Sequence, residues 1–270
     1  MSNILQRIIT GSIFITVIIL SLWYSLNTTF LVMGLFLFLG LLEFFKLFKD
    51  EKSIQLNSIF NTTALFSVYC IIAYSIAKFE PQFSILTLPI LFSIFIVEIW
   101  RKKENPIQNL GIVMLGFVYL VIPFSLILLI SNFSSHNKPY VISMFLLIWT
   151  NDTFAYLSGR FFGKTKLFER ISPKKTWEGT IGGLSFTLIV SYLISFWGNN
   201  NDLNFWLISA CIIAPTAILG DLLESLFKRS LNIKDSGTIL PGHGGILDRF
   251  DAMLFTVPFF YVWFVIYNYF

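Results

Sequence analysis

The sequence predicts an all-α, polytopic integral membrane fold with about nine transmembrane helices, and three observations predict it. The 270 residues are 56% hydrophobic and only 13% charged, where a soluble domain would be roughly one quarter charged. Apolar runs of roughly 20 residues recur from end to end, long enough to cross a ~30 Å hydrocarbon core as helices. The basic residues gather in alternate connectors, as they do when a chain threads a bilayer.

Nine spans are expected, near Ile8–Leu26, Thr29–Phe48, Ile59–Lys78, Phe83–Trp100, Leu110–Ser131, Tyr140–Phe161, Gly179–Trp197, Phe205–Phe227 and Ala252–Tyr269. Asn, Ser and Thr fill the short connectors, as turn chemistry requires, and no internal repeat is visible. Arg7 followed by an apolar run resembles a signal peptide. No small-residue cleavage site follows and the run is full length, so a retained first helix is expected. Cys70 and Cys211 each sit inside an apolar run and read as small buried hydrophobes. Three parts are expected: residues 1–105 with four spans, residues 106–200 with a nucleotide-binding loop, and residues 201–270 carrying the catalytic segment.

Orientation follows from the basic residues. Lys46, Lys49 and Lys52 follow span two, and Arg101, Lys102 and Lys103 follow span four. Arg160, Lys164, Lys166, Arg170, Lys174 and Lys175 follow span six, while Lys228, Arg229, Lys234 and Arg249 follow span eight. With Arg7 these are seventeen of the nineteen Lys and Arg, leaving Lys78 and Lys138 across the membrane. The larger set belongs in the cytoplasm, which puts the N-terminus inside and, with an odd number of spans, the C-terminus outside. A bacterial inner (plasma) membrane is the expected setting. The net charge of +4 is then a matter of membrane flanks, and no nucleic-acid partner is expected.

Charged groups inside spans are expensive and call for a reason. Glu43 and Glu98 lie near the ends of spans two and four, where pairing with Lys46 and Arg101 or snorkelling would account for them. Asp152 lies about 18 Å into span six and Asp221 about 24 Å into span eight, both toward the cytoplasmic face at 1.5 Å per residue. Glu224 shares a helix face with Asp221, and Asp248 and Asp251 have the same spacing at the start of span nine. Mutually repelling carboxylates at one depth call for a divalent cation or for paired bases. The plainer account is a set of salt bridges, Asp221 or Glu224 with Lys228 and Asp248 with Arg249. Oxygen donors without a companion cysteine favour Mg²⁺ or Mn²⁺ over zinc.

Two polar loops stand out. Ser225–Asp251 packs acids, bases and glycines between two apolar runs, with Gly237, Gly242, Gly244 and Gly245 loosening the backbone and Pro241 stiffening it. Carboxylates for a metal and cations plus free N–H groups for a phosphate are the chemistry on offer. His243, without a second histidine or a thiolate beside it, is no zinc ligand. It would donate to a phosphate or hold the loop. The other loop offers Ser172, Lys174, Lys175 and Thr176 just before a helix expected to begin near Glu178, where free N–H groups suit an anion. Gly182 and Gly183 would admit a neighbouring helix or a ligand closely. Neither loop matches the Walker P-loop or a dinucleotide fingerprint.

These residues resemble a known family. Ser225, Lys228–Arg229, Lys234–Asp235, His243–Gly244–Gly245 and Asp248–Arg249–Phe250–Asp251 are similar to the signature of the phosphatidate cytidylyltransferases, or CDP-diacylglycerol synthases. Ser172–Pro173–Lys174–Lys175–Thr176 with Glu178–Gly179, and the segment around Asp152, are similar to the family as well. The resemblance is close over roughly Trp149 to Phe255. It implies a homodimeric membrane enzyme that joins CTP to phosphatidate with Mg²⁺, a monovalent cation such as K⁺ sitting beside it. It also implies metal ligation by Asp221 and Asp248.

The chemistry suits those residues. A phosphate monoester is already close to a dianion, its second pKa being about 6, so relief of charge repulsion matters more than a general base. Asp251, Glu224 and Asp152 are expected at or just behind the metal. Lys228, Arg229, Lys234 and Arg249 are expected on lipid phosphate and pyrophosphate. Lys174, Lys175, Ser172 and Thr176 are expected on CTP, with Asp235, Gly244 and Gly245 completing the substrate-binding loop. The nearest rival is a CTP-dependent polyprenol or phytol kinase, which would need a base for a lipid alcohol. An ion-coupled transporter would show repeats and midplane acids, and neither is seen.

Overall fold

A computed structural model describes residues 3–49, 51, 53–133, 139–196, 202–233, 235–237, 239 and 244–269. Lys234 and His243 therefore lie outside the described residues. Helices dominate, and among the described residues eight helical stretches are long and apolar enough to cross a membrane; the apolar part of the first helix is the shorter Ile8–Tyr24. The expected spans are all helical, with boundaries moved by a few residues. The chain divides into two compact units, Met1–Asn132 with Asp235–Arg249, and Phe133–Lys234 with Phe250–Phe270.

The first unit begins with α1 (Asn3–Tyr24) and α2 (Leu26–Leu47), separated only by Ser25 in an extended conformation. Ser25 Oγ accepts from Thr28 N at 3.1 Å and Thr28 Oγ1 accepts from Ser25 N at 3.1 Å, a reciprocal cap that starts α2 sharply. Asn57 caps α3 (Ser58–Lys78), whose Tyr69 stacks on Phe30 at 5.5 Å and donates to its carbonyl at 3.1 Å. A 3₁₀ turn (Pro81–Leu86) leads into α4 (Thr87–Arg101). Next, α5 (Pro106–Gly116) and α6 (Ile122–Phe133) form one rod through a π turn at Phe117–Val121, closed by Ile122 N donating to Phe117 O. Pro123 explains the wider turn, because it has no N–H to give the preceding turn and its ring crowds that turn's carbonyl.

Glu98 behaves as expected, accepting from Arg101 at 2.6 Å, and is held further by Asn109 Nδ2 at 2.6 Å. Glu43 does not pair with Lys46. The segment Asp235–Arg249 returns to α2, where a Cβ on Gly40 would stand 3.7 Å from Ile246 Cγ2 and 3.8 Å from Leu247 Cδ2, and Glu43 turns toward it.

The second unit holds α7 (Tyr140–Phe162), α8 (Trp177–Ser195), α9 (Leu203–Ser230) and most of α10 (Leu247–Tyr269). Small residues set the α7–α8 packing. A Cβ on Gly179 would stand 2.7 Å from the Ala155 carbonyl, one on Gly183 2.7 Å from Asn151 Oδ1, and one on Gly182 would overlap Ser158. Phe154 and Phe186 stack at 3.8 Å in the same seam. Gly182→Val should therefore destabilise this seam by about 1–3 kcal/mol, the usual cost of overpacking. Thermal unfolding in detergent would show it, and a midpoint equal to wild type would refute this account of the glycines.

Three details differ from expectation. The stretch between α7 and α8 is not an open loop but an antiparallel hairpin of β1 (Lys166–Phe168) and β2 (Ser172–Thr176). The sequence Ser-Pro-Lys-Lys-Thr carries no strand alternation. It is pinned instead by Glu178, whose carboxylate accepts from Lys164 N and Thr165 N at 3.1 Å each. Helix α10 begins at Leu247, five residues before the expected Ala252, so Asp248 and Asp251 both lie within it. The cysteines are not core residues: both are free, Cys70 half-buried and Cys211 exposed.

Candidate functional site

In the second unit, three helices and the hairpin bring charged groups together. Helix α7 supplies Asp152, α9 supplies Asp221, Glu224 and Lys228, α10 supplies Asp251, and β2 supplies Lys175. Asp251 lies within electrostatic reach of Asp221, Glu224 and Asp152, and Asp152 within reach of Asp221 and Lys175. The gathering of acids inferred from helix rise is thus present for these four.

Among the described residues, Asp221 and Glu224 form ion pairs. Lys175 Nζ stands 2.7 Å from Asp221 Oδ2 and donates to the Ile218 carbonyl at 3.2 Å, while Ser225 Oγ donates to Asp221 Oδ1 at 3.3 Å. The Lys175–Asp221 pair was not among the salt bridges considered from sequence; the Lys228–Glu224 pair was, and it forms. Gly220 makes the approach of α9 to α10 possible, since a Cβ there would stand 2.6 Å from the Asp251 carbonyl. Among the described residues of this cluster, four carboxylates stand with two ammonium groups.

In the first unit the signature loop closes on Asp248. Its Oδ2 accepts from Ser236 N at 3.1 Å and Gly245 N at 2.9 Å, with Ser236 Oγ at 3.0 Å. Gly244 adopts φ +86, a left-handed conformation that strains any residue with a Cβ, and a Cβ there would sit 2.8 Å from Asp248 Oδ2. Gly245 needs its missing Cβ for space, because one would overlap both Glu43 Oε1 and Ser236 Oγ. The two glycines of the signature thus serve different physical ends.

The other expected site residues are spread more widely. Ser172 opens β2, Lys174 is exposed, and Thr176 is buried as the cap of α8, accepting from Gly179 N at 3.2 Å. Arg229 donates to the Ile233 carbonyl at 3.2 Å from an exposed position, and Asp235 and Arg249 are exposed.

A family model described as "Cytidylyltransferase family" matches residues 5–267. The chain belongs to that family. A phosphatidate cytidylyltransferase of Rickettsia typhi is 38% identical over 221 residues, covering 79% of this chain and 92% of the relative. Proteins of the same name from Staphylococcus haemolyticus and Haemophilus influenzae are 51% identical over 126 residues and 44% identical over 131 residues. Those two matches cover 46% of this chain each, and 48% and 45% of the relatives. This cytidylyltransferase is accordingly an enzyme, a nucleotidyltransferase built into a membrane.

A divalent metal fits the donors this cytidylyltransferase presents. Among the described residues no three His, Cys, Asp or Glu side chains form a ready coordination sphere. Mg²⁺ does not need one, since it usually takes one or two carboxylates and completes its shell with water and substrate phosphate oxygens. Carboxylates in a cluster, without a closed cage, are an arrangement such an ion can use.

Sequence reasoning missed Glu43 and Ser236. Ile246 N donates to Glu43 Oε2 at 2.7 Å, and the Ser236 hydroxyl donates to Glu43 Oε1. The signal was present, the one acid in span two, but Lys46 one turn along offered an easier account of it.

Proposed function

We propose that this enzyme transfers the cytidylyl group of CTP to phosphatidate, giving CDP-diacylglycerol and pyrophosphate for phospholipid synthesis. The observation that carries this reading is the charge cluster of Asp152, Asp221, Glu224 and Asp251 with Lys175 and Lys228, in a chain whose relatives bear the phosphatidate cytidylyltransferase name. In the reaction an oxygen of the lipid phosphate attacks the α-phosphorus of CTP in line. A new P–O bond forms as the bond to the β-phosphate oxygen breaks, and pyrophosphate leaves. The nucleophile is already ionised near neutral pH, so no residue needs to act as its base and no covalent enzyme intermediate is required.

The residues would supply orientation and charge. Lys174, Lys175, Ser172 and Thr176 would meet the phosphates of CTP. Lys228, Arg229, Lys234 and Arg249 would meet the lipid phosphate and the departing pyrophosphate. Asp221 would hold Mg²⁺, with Asp152, Glu224 and Asp251 around it, and Asp248 keeps the metal assignment that the signature implies. When bound, the ion would neutralise charge on the reacting phosphates. Basic connectors support an N-terminus and an active site on the cytoplasmic side of a bacterial inner membrane, where soluble CTP and a lipid headgroup can meet. The working form is a homodimer, as the family resemblance implies, and K⁺ is the second cation.

Purified enzyme given CTP, phosphatidate and Mg²⁺ should release pyrophosphate and form CDP-diacylglycerol. Chelation of the metal should cut the rate by about a thousandfold, the several kcal/mol of charge stabilisation an ion provides at about 1.4 kcal/mol per decade. Restoring Mg²⁺ should return it. Formation of CDP and a phosphorylated lipid alcohol instead would identify a kinase and overturn the proposal.

A further inference from the structure

We propose that Glu43 is a positioning residue for the active site: through Ser236 its buried carboxylate fixes the signature loop and the orientation of Asp248. Glu43 is 3% exposed, and the other residues of α2 from Phe30 to Phe45 are all apolar or glycine. A carboxylate in such a place costs several kcal/mol unless it is well bonded, and the returning loop provides the bonds. Ile246 N donates to Oε2 at 2.7 Å, and the Ser236 hydroxyl donates to Oε1.

The loop is shaped around this carboxyl group. A Cβ on Gly237 would stand 2.8 Å from Glu43 Cδ, and one on Gly245 would overlap Oε1. The same serine reaches the other acid, its hydroxyl 3.0 Å and its N–H 3.1 Å from Asp248 Oδ2. One hydroxyl proton serves two carboxyl groups, so displacing either carboxyl displaces the serine and with it the other. A residue that only anchored the fold would need no such link to the side chain carrying the metal assignment.

The functional part of this inference rests on the proposed reaction; the positioning part does not. Full-length enzyme carrying Glu43→Gln, Glu43→Asp, Ser236→Ala, or Glu43→Gln with Ser236→Ala is compared with wild type in detergent. Gln keeps the shape, but its amide nitrogen cannot accept, so one of the two donations to residue 43 is lost. Glu43→Gln should lower kcat by roughly 30-fold, in the range of an ångström-scale misplacement. The KM for CTP should move less than about threefold, as befits a residue that does not touch substrate. Ser236→Ala should resemble it, the double variant should be no worse than the poorer single, and Glu43→Asp should retain intermediate activity. Amide hydrogen exchange, followed without substrate, should quicken at Ser236, Gly245 and Ile246 while other helices keep wild-type protection. Wild-type exchange at these amides in Glu43→Gln and Ser236→Ala would overturn the positioning. So would additive losses, or exchange raised across all helices with a collapsed Tm, which mark a fold anchor alone. Absence of CDP-diacylglycerol from wild type would overturn the reaction reading, with exchange still deciding the positioning.

Discussion

Asp221→Asn should lower pyrophosphate release by about a thousandfold, with the thermal midpoint changed by only a few degrees. The activity loss follows from removing the charge of a proposed metal ligand, a contribution of several kcal/mol at about 1.4 kcal/mol per decade. The small stability effect follows from exposure. The Asp221 side chain is 40% exposed and its Lys175 partner 22%, and ion pairs in reach of water contribute roughly 0–1 kcal/mol. Asn also keeps an oxygen that can accept from Ser225. Measuring steady-state rates and unfolding midpoints on the same preparations separates the two effects. A rate within about fivefold of wild type would remove Asp221 from the metal site, because loss of a ligand's charge is worth more than that. A large fall in midpoint would mean instead that the Lys175–Asp221 pair braces the fold.

The fold was largely legible because a bilayer constrains it so heavily. Length, apolarity and the side-switching of Lys and Arg locate helices without any knowledge of packing. The acids of the second unit were legible for a related reason. An intramembrane carboxylate is costly, and 1.5 Å of rise per residue converts sequence position into depth. Depth does not fix azimuth, so Lys175 as the partner of Asp221 could not be read from the chain, least of all across a hairpin that carries no strand pattern. Glu43 was legible as an anomaly but not as a loop anchor, because its partners Ser236 and Ile246 lie some 200 residues away and Lys46 lies only three. A close basic neighbour is a weak reason to set aside a buried acid.

Gly245→Ala should lower activity by roughly 100-fold, as expected when a reacting arrangement is misplaced by about an ångström, and should destabilise the first unit by about 1–3 kcal/mol. Backbone conformation is not the cause, since Gly244 and not Gly245 has the positive φ. Space is the cause: the new methyl group would overlap Glu43 Oε1 and Ser236 Oγ, with Glu43 Cδ close behind at 2.5 Å. The far end of Glu43 can retreat only by giving up the Ile246 N–H, and Ser236 can retreat only by giving up Asp248. Either movement reaches the carboxylate that Gly245 N itself holds at 2.9 Å. Shortening the obstacle supplies a second arm to the test. In a Glu43→Asp background the methyl group finds the volume of the missing methylene, so Gly245→Ala should do less harm there than in wild type, a coupling expected of side chains in contact. Equal losses in both backgrounds would show that the glycine is required for some reason other than Glu43. A rate above half that of wild type for Gly245→Ala alone would show that the loop has room to spare.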